Sequence, residues 1–418
     1  MRRALIAILM AAMTGGAVAQ QNRSYSERIR TVEAVVGGNP QLPPVINLGG
    51  SEVITISFDD MSHDYVRYVY RLEHCDRNWN VSDGVFESDY MTGTNFDKPI
   101  DNYKRSSNTS NLYTHYELTF PNSHVKPRVS GNYKVSIYDD EDTDNPVAEA
   151  FFSVVDSKFG VIASATSNTD IDANASHQQI ELRVTFGDME MRDPSREVAV
   201  KVLQNKRYDN AVSPSEASFV SDREMRWQHC RDLIFPAGNE FRKFEILNIH
   251  QPTLGVDRIR WYDPYYHAFL VPGEPYKNYI YNQEINGSYV VRNEDNVENE
   301  TASEYAIVHF YLKEDEELEG GSFYVCGQWN AYNFLPEYRM EYNADEGEYE
   351  AAILLKQGYY NYAYIFVPDG SHEGSMAESE GNFFQTENEY TVYVYARLQG
   401  DRYDRLLGYR DFRFVPNK

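Results

Sequence analysis

The chain has 418 residues and a formal net charge of −25 at pH 7, from 39 Lys and Arg against 64 Asp and Glu. Nucleic acid and anionic lipid surfaces are excluded as partners, because phosphate binding needs clustered cations and the sequence has no such cluster. A hydrophobic fraction of 42%, with 34 Tyr and 21 Phe, excludes a disordered chain and favours β structure.

Residues 1–19 have the layout of a secretory signal peptide. A basic head, Arg2-Arg3, precedes an apolar run over residues 4–13, and Ala17-Val18-Ala19 forms a small-residue cleavage site before Gln20. The apolar run is too short to span a bilayer, which takes roughly 20 residues. No Cys follows the cleavage site, so a lipid anchor is not expected. We therefore expect an exported, soluble protein that does not insert directly into the membrane.

Residues 20–156 are expected to form a first domain of short β-strands. The runs alternate between apolar and polar residues and are bounded by Gly, Pro, Asn or Asp, which is typical of β-sandwiches. The predicted strands cover residues 54–58, 66–72, 113–120, 131–138 and 148–155. A polar loop, Asp139–Pro146, is expected to join the last two as a hairpin.

Residues 157–300 are expected to form a second, central β-rich domain. Strands are predicted at 179–184 and 197–202, and a dense aromatic stretch follows from Trp261 to Tyr281. Three prolines interrupt this stretch, which favours loop or edge strand because Pro cannot donate to a sheet ladder. The polar, acidic segment 293–303 suits a linker to the next domain.

Residues 301–418 are expected to form a third domain. Strands are predicted at 305–312 and 322–326, and 349–355 with 359–367 are expected to form a hairpin. The run 390–398 alternates, which places Tyr393 and Tyr395 on one face and the neighbouring valines on the other. The sequence thus predicts an all-β fold of three tandem β-sandwich domains, immunoglobulin-like or early-set-like.

The three cysteines, Cys75, Cys230 and Cys326, are far apart and form no CxxC pair. Neither a disulfide scaffold nor a structural zinc site is therefore expected. His74-Cys75 and His229-Cys230 suggest a thiol beside a base, but an isolated Cys is more often a small buried hydrophobe.

The loop residues Asp140, Asp142 and Asp144 have the spacing of the first ligands in a calcium loop. The Gly that such a loop needs at its sixth position is missing, which favours a solvated hairpin tip. Motifs of serine hydrolases, P-loops and zinc proteases are absent from the sequence. We expect no catalytic residues, no cofactor and no metal site, hence a protein that is not an enzyme.

The aromatic stretch supplies candidate partner-binding residues: Trp261, Tyr262, Tyr265 and Tyr266. Two interpretations stay open for them. Aromatic side chains dominate sandwich cores, and Tyr and Trp also supply the binding energy of protein interfaces.

Three separated motifs resemble one family of exported Bacteroidetes proteins, the type IX secretion system plug proteins. They are Tyr70–Asp76 with Trp79, Arg231–Arg242 and Asp401–Tyr409. The resemblance implies a periplasmic, non-enzymatic partner of a large outer-membrane barrel. Such a protein closes the periplasmic mouth of the barrel when neither cargo nor an extracellular partner is engaged.

A second, partial resemblance suggests an alternative function. Phe323–Asn330 and Gly358–Tyr362 are similar to glycogen-binding early-set sandwiches, in which exposed aromatic rings stack on sugars. By this analogy Trp329 would be the platform of a glycan-binding accessory protein.

Overall fold

The computed structural model describes residues 22–94 and 98–416. The expected signal peptide, residues 1–19, lies outside the described residues. Within the described ranges the regular structure is almost entirely β, and the three α-helices have four residues each. None of these helices is long and apolar enough to cross a bilayer. The predicted all-β fold class is confirmed.

The first sandwich contains eleven strands and one helical turn, α1 (Glu87–Tyr90). The strands are β1 (Arg23–Ser24), β2 (Ile29–Val36), β3 (Val45–Asn47), β4 (Ile54–Asp60), β5 (Tyr68–Cys75), β6 (Met91–Gly93), β7 (Asn102–Arg105), β8 (Thr114–Phe120), β9 (Val125–Pro127), β10 (Gly131–Asp139) and β11 (Asp142–Val155). One sheet has the order β1-β11-β10-β5, with β3 also paired to β11, a second has the order β2-β4-β8-β7, and β6 pairs with β9 in a small third sheet.

Alternation explains how these two sheets share one core. Tyr68, Tyr70 and Leu72 on β5 point inward together with Val135 and Ile137 on β10, and all are buried. The expected hairpin is confirmed, because β10 and β11 pair antiparallel, but its loop is only residues 140–141 rather than Asp139–Pro146, since β11 already begins at Asp142.

The second sandwich is built from two stretches of chain that are distant in sequence. The first stretch contains β12 (Gly160–Thr166), β13 (His177–Thr185), α2 (Pro194–Glu197), β14 (Val198–Gln204), β15 (Phe219–Val220), β16 (Glu224–Trp227) and β17 (Ile234–Pro236). One sheet has the order β12-β13-β16-β15, with β17 also paired to β13. The other sheet consists of β14 and two strands from the C-terminal part of the chain.

The third sandwich lies between these two stretches. Its elements are β18 (Arg242–Ile246), β19 (Val256–Tyr262), β20 (Tyr265–Leu270), β21 (Tyr289–Val291), α3 (Asn299–Ala302), β22 (Tyr305–Lys313), β23 (Gly321–Cys326), β24 (Glu341–Asn343), β25 (Glu348–Lys356) and β26 (Gly358–Pro368). A sheet of order β18-β26-β21, with β23 on β26, packs against a sheet of order β19-β20-β22-β25-β24.

The last strands, β27 (Glu389–Ala396) and β28 (Arg405–Arg413), return to the second sandwich. Strand β27 pairs antiparallel with β14 along its full length. The third sandwich is thus inserted into the second, and the strands do not group as the expected domains 157–300 and 301–418. Alternation identifies a strand but not its partner, so the sequence could not show this pairing.

Two local expectations for the third sandwich are wrong. Strands β25 and β26 belong to opposite sheets, so the chain crosses the core at Gln357 and forms no hairpin. The segment 293–303 is not a linker between domains, because β21 and β22 on either side of it both belong to the third sandwich.

Both faces of β27 are buried. Val392 and Val394 lie in the core of the second sandwich, whereas Tyr393 and Tyr395 lie in a separate apolar cluster with Val155 of the first sandwich. The Tyr395 hydroxyl donates to Asn132 Oδ1 of β10 at 3.1 Å. The predicted division of the strand into two faces is confirmed, and the tyrosine face joins two sandwiches.

A buried ionic cluster joins the first and third sandwiches. Asp59 of β4 accepts hydrogen bonds from Lys356 Nζ and the Tyr305 hydroxyl, both at 2.6 Å, and from His115 Nδ1 at 2.7 Å. Lys356 also donates to the backbone carbonyl of Glu300 at 2.7 Å. Since Asp59, His115 and Lys356 are at most 3% exposed, the two sandwiches enclose these charges completely.

Candidate partner-binding surface

The four aromatic residues predicted to bind a partner lie at the end of the β19–β20 hairpin. The prediction of loop or edge strand for this stretch holds for β19, which is an edge strand, but not for β20, which lies between β19 and β22. Trp261 pairs with Tyr266 and Tyr262 with Tyr265 across the ladder. Because cross-strand neighbours share a face, the hairpin separates the four side chains into two pairs on opposite faces.

Tyr262 and Tyr265 lie on the outer side of the sheet, and Trp261 and Tyr266 lie on the core side. Tyr266 is half-buried against the third core, and its ring is 4.7 Å from that of Trp261. Trp261 and Tyr262 remain 46% and 56% exposed. Both interpretations therefore describe part of the stretch: Tyr266 packs against the core, whereas Trp261 beside it and Tyr262 on the other face are exposed.

The outer side of this sheet forms an aromatic face, which we define by nine outward residues of β19, β20 and β22; Lys313, the last outward residue of β22, lies outside it. They are Arg258, Arg260, Tyr262, Tyr265, His267, Phe269, Ile307, His309 and Tyr311. Their inward neighbours, such as Ala268, Val308 and Phe310, are fully buried in the core. The inward residues hold the sheet in place, and the outward residues form a surface.

The rings of the aromatic face contact one another. Phe269 stacks on His309 with centroids 4.4 Å apart and planes 9° apart. The Arg258 guanidinium lies over the Phe269 ring, 4.3 Å from its centroid. Tyr262 meets His267 edge-on at 5.2 Å.

Two histidines in the centre of the face share a hydrogen bond, with 2.8 Å between His267 Nδ1 and His309 Nε2. One nitrogen donates and the other accepts, so the pair does not hold two imidazolium ions in this geometry. Burial lowers the pKa of His267, and burial with the charge of His267 lowers the pKa of His309 to about 4. The centre of the face is therefore neutral at pH 7.

The charge of the aromatic face differs from that of the chain. Its nine residues include two arginines and no carboxylate, although Asp and Glu far outnumber Lys and Arg overall. The nearest carboxylates stand at its border: Asp257, which pairs with Arg258 at 2.9 Å, and Glu350, opposite Tyr311. The face is thus a neutral aromatic centre with arginines along its β19 edge and the carboxylates of Glu348 and Glu350 beyond its β22 edge.

Sequence reasoning missed His267, Phe269, His309 and Tyr311. A signal for them existed in β22, where both alternating sets contain apolar or aromatic residues: Ala306, Val308 and Phe310 in one, Ile307, His309 and Tyr311 in the other. A strand with one solvated face normally carries polar residues there. Apolar or aromatic residues at both alternating sets of β22 positions indicate that the outer face of this strand, like its core face, is suited to being covered.

Trp329, the candidate sugar platform, lies in a 3₁₀ turn, Gln328–Asn330. Its indole Nε1 donates to the backbone carbonyl of Asn361 at 3.2 Å, and Tyr338 meets the ring edge-on at 5.7 Å. The half-buried ring lines a cavity of about 350 Å³ between β2 and the third sandwich. It is a wall of a cleft between sandwiches rather than a free platform.

The histidine–cysteine neighbours do not form a thiol–base pair in the first sandwich. Burial raises the pKa of the Cys75 thiol to about 12 and lowers the pKa of His74 to about 4. His74 Nδ1 instead lies 2.8 Å from Ser82 Oγ. Adjacent residues on a strand also point to opposite faces, so these two side chains are not arranged for catalysis.

The aspartates of the β10–β11 tip are engaged locally. Asp140 pairs with Arg67 at 3.0 Å, and Asp142 accepts hydrogen bonds from the backbone of Asp144 and the side chain of Asn145. Within residues 22–94 and 98–416, no three His, Cys, Asp or Glu side chains cluster in a way that could hold a metal ion.

Comparison with known proteins gives two matches. Residues 29–156 match the family described as "Type 9 secretion system plug protein 1st domain". The crystal structure of a hypothetical protein from Parabacteroides merdae ATCC 43184 is 37% identical in sequence, with a TM-score of 0.92. The alignment covers 95% of this chain and 100% of that one. No curated protein matches the chain.

Proposed function

Residues 29–156 match the first domain of the type IX secretion system plug protein family, and from this premise we propose that the chain belongs to this family and is a non-enzymatic periplasmic subunit of the type IX translocon. It docks on the periplasmic mouth of the large outer-membrane barrel of that system. It plugs the barrel when neither cargo nor an extracellular partner is engaged. The observation that carries the proposal is the match of residues 29–156 to the first domain of the plug family.

The physical requirements of a plug support the proposal. A barrel wide enough for folded cargo leaks small molecules, so its stopper must be bulky and must not bend. Here the sandwiches are joined by buried contacts, including the Asp59–Lys356 cluster and the tyrosine face of β27. A dock of roughly 1,600 Å² of buried surface would make such a complex stable.

The proposed location is the periplasm, at the outer membrane. The layout of residues 1–19 supports export, and without a Cys after the cleavage site the protein reaches the membrane through its partner rather than through a lipid.

Affinity purification of the tagged protein from detergent-solubilised envelopes, followed by mass spectrometry, tests the proposal. We expect a very large outer-membrane barrel in near-equal amount. A deletion strain should admit small molecules that the parent excludes, while the barrel remains present. Recovery of the plug protein alone, together with unchanged permeability of the deletion strain, would contradict the proposal.

Glycan binding is the second candidate function, favoured by the cleft beside Trp329. The cavity of about 350 Å³ is in the size range of ligand sites, and aromatic Tyr338 faces it together with Trp329. Trp329→Ala should then abolish retention on a polysaccharide gel, whereas Trp261→Ala serves as a control for loss of an exposed Trp. Absence of retention for the unmodified protein would exclude this function.

A further inference from the structure

We propose that the aromatic face is the surface by which this protein docks on its barrel, and that the partner presents apolar side chains flanked by carboxylates. The inference rests on the proposed function, because it names the partner as the periplasmic rim of that barrel. It extends the set of partner-binding residues from the hairpin tip to strands β20 and β22.

Two outward side chains at the centre of this face, His267 and Phe269, make their contacts within the face. Within the described parts of the chain, the ring contacts and side-chain hydrogen bonds of His267 and Phe269 are all to other members of the face. A contiguous aromatic surface that no other element covers marks an interaction site in a soluble protein. Tyr, Phe and Arg are also typical of interface centres.

The neutral histidine pair favours burial of the centre against a partner. Covering a charged imidazolium would cost desolvation free energy, but His267 and His309 satisfy each other through one hydrogen bond at 2.8 Å. Phe269 is stacked between His309 and Arg258 before any partner arrives. Because these rings are already ordered, docking loses little side-chain entropy.

The arginines define the charge of the partner. Arg260 is exposed, and its recorded hydrogen bond is to the backbone carbonyl of Ile259. Its guanidinium can therefore donate two parallel hydrogen bonds to a carboxylate of a partner, which is the bidentate geometry that Arg favours. Elsewhere the acidic chain repels carboxylates over the roughly 8–10 Å range of screened electrostatics. Arg258 and Arg260 attract an acidic rim to this face, and their position along β19 orients the docking.

The experiment compares face variants with matched controls in the same envelope purification. The face variants are a Tyr262→Ala, Phe269→Ala double substitution and a separate Arg260→Glu. Phe86→Ala on the first sandwich and Arg196→Glu on the second are controls, since both side chains are exposed and neither belongs to the sandwich that carries the face. Circular dichroism and melting temperature establish that each variant folds like the parent.

We expect each face variant to retain about tenfold less barrel per plug protein than the parent, and each control to retain the parental amount. Arg260→Glu should lose most at low ionic strength, where charge repulsion is strongest. If the double variant does not fold, Arg260→Glu decides alone, because its position is exposed.

The outcomes separate the two proposals. If the parent retains the barrel and the face variants retain as much as the controls, the docking surface lies elsewhere and this inference is overturned, while the proposed function stands. If the parent retains no barrel, the proposed function fails and the inference fails with it.

Discussion

Burial decides the chemistry of single side chains in this protein, and the three thiols show it. Cys75 and Cys326 are buried and Cys230 is half-buried. Burial raises the pKa of all three, to about 12 for Cys75. Since the thiolate is the reactive form, the residues that resembled a nucleophile in the sequence are protonated packing residues in the fold.

Thiol labelling of the native protein at pH 8 tests this assignment. We expect slow modification of Cys230 and none of Cys75 or Cys326, followed by complete modification of all three in denaturant. Mass spectrometry after digestion identifies the labelled sites. Rapid labelling of Cys75 in the native protein would show that its side chain is accessible and that the burial argument is wrong.

Among the secondary-structure elements, β27 has the largest effect on architecture. Its valines complete the core of the second sandwich, and its tyrosines contact the first. A strand buried on both faces tolerates no charge on either.

Val394→Asp should therefore destabilise the second sandwich by several kcal/mol, because it buries an unpaired carboxylate at a fully buried position. The melting temperature should fall by about 5 °C or more. Ile162→Asp on strand β12 is the control, since Ile162 is 62% exposed and should tolerate the change. A melting temperature of Val394→Asp within about a degree of the parent would contradict the assignment of the core face.

The motifs that carry the family resemblance lie at junctions between sandwiches. The segment around Tyr70–Asp76 meets Asp401–Tyr409, where the His74 and Tyr403 rings are 5.1 Å apart and Asp404 accepts a hydrogen bond from the Arg77 backbone. The segment Arg231–Arg242 connects the second sandwich to the third, and Arg242 pairs with buried Glu380 at 2.9 Å. These motifs hold the sandwiches together, which agrees with a structural rather than a partner-contacting role.

For the assembled chain, the Asp59 cluster sets how the first sandwich sits on the third. Buried ion pairs add little net stability, but removing one partner leaves an uncompensated charge. Such pairs serve mainly to specify one arrangement.

Lys356→Met should cost about 3–5 kcal/mol, because Asp59 loses its cationic partner while remaining buried. We expect the first unfolding transition in urea to move to lower concentration, since a chain of several domains need not unfold in one step. Lys104→Met on exposed strand β7 is the matched control. In a double-mutant cycle, Asp59→Asn should lower the free energy of unfolding much less in the Lys356→Met background than in the parent. Additive effects would show that the two residues do not interact.

The same cluster predicts a loss of stability at alkaline pH. Burial would lower the pKa of His115, but its hydrogen bonds to Asp59 and Glu117 outweigh burial and raise the pKa to about 9. The folded state thus holds a proton that the unfolded state releases near pH 6.5. The stabilisation that protonated His115 contributes to the folded state is complete below pH 6.5 and disappears as the pH rises through 9.

His115→Gln should remove this dependence. The difference in unfolding free energy between parent and variant should shrink between pH 6.5 and pH 9, as followed by urea titrations across that range. Asp59 stabilises the fold at the acidic end of the pH range. Burial alone would raise the pKa of Asp59, but the charge of Lys356 and the hydrogen bond from His115 hold it below its usual value. Its contribution is present above pH 3.8 and is lost below it. A constant difference between pH 6.5 and pH 9 would contradict the assignment for His115.

Local pattern was sufficient for the strands, because a period of two in side-chain character depends only on neighbouring residues. It predicted the all-β class, the β10–β11 hairpin, the division of β27 into valine and tyrosine faces, and an edge strand within the aromatic stretch. The family motifs were also readable from the chain alone. They identified the plug family before any sheet was assembled.

Only the tertiary structure decided which strands pair and which faces are covered. Strand β14 joins β27 across an entire inserted sandwich, and β25 leaves β26 for the opposite sheet; periodicity contains no record of either partner. The aromatic face depends on the same long-range pairing. His267 and His309 come from strands that are separated in sequence and become neighbours only when β20 and β22 align in parallel. Sheet pairing is set by the global packing of cores, and that is why the aromatic face could not be assembled from the sequence.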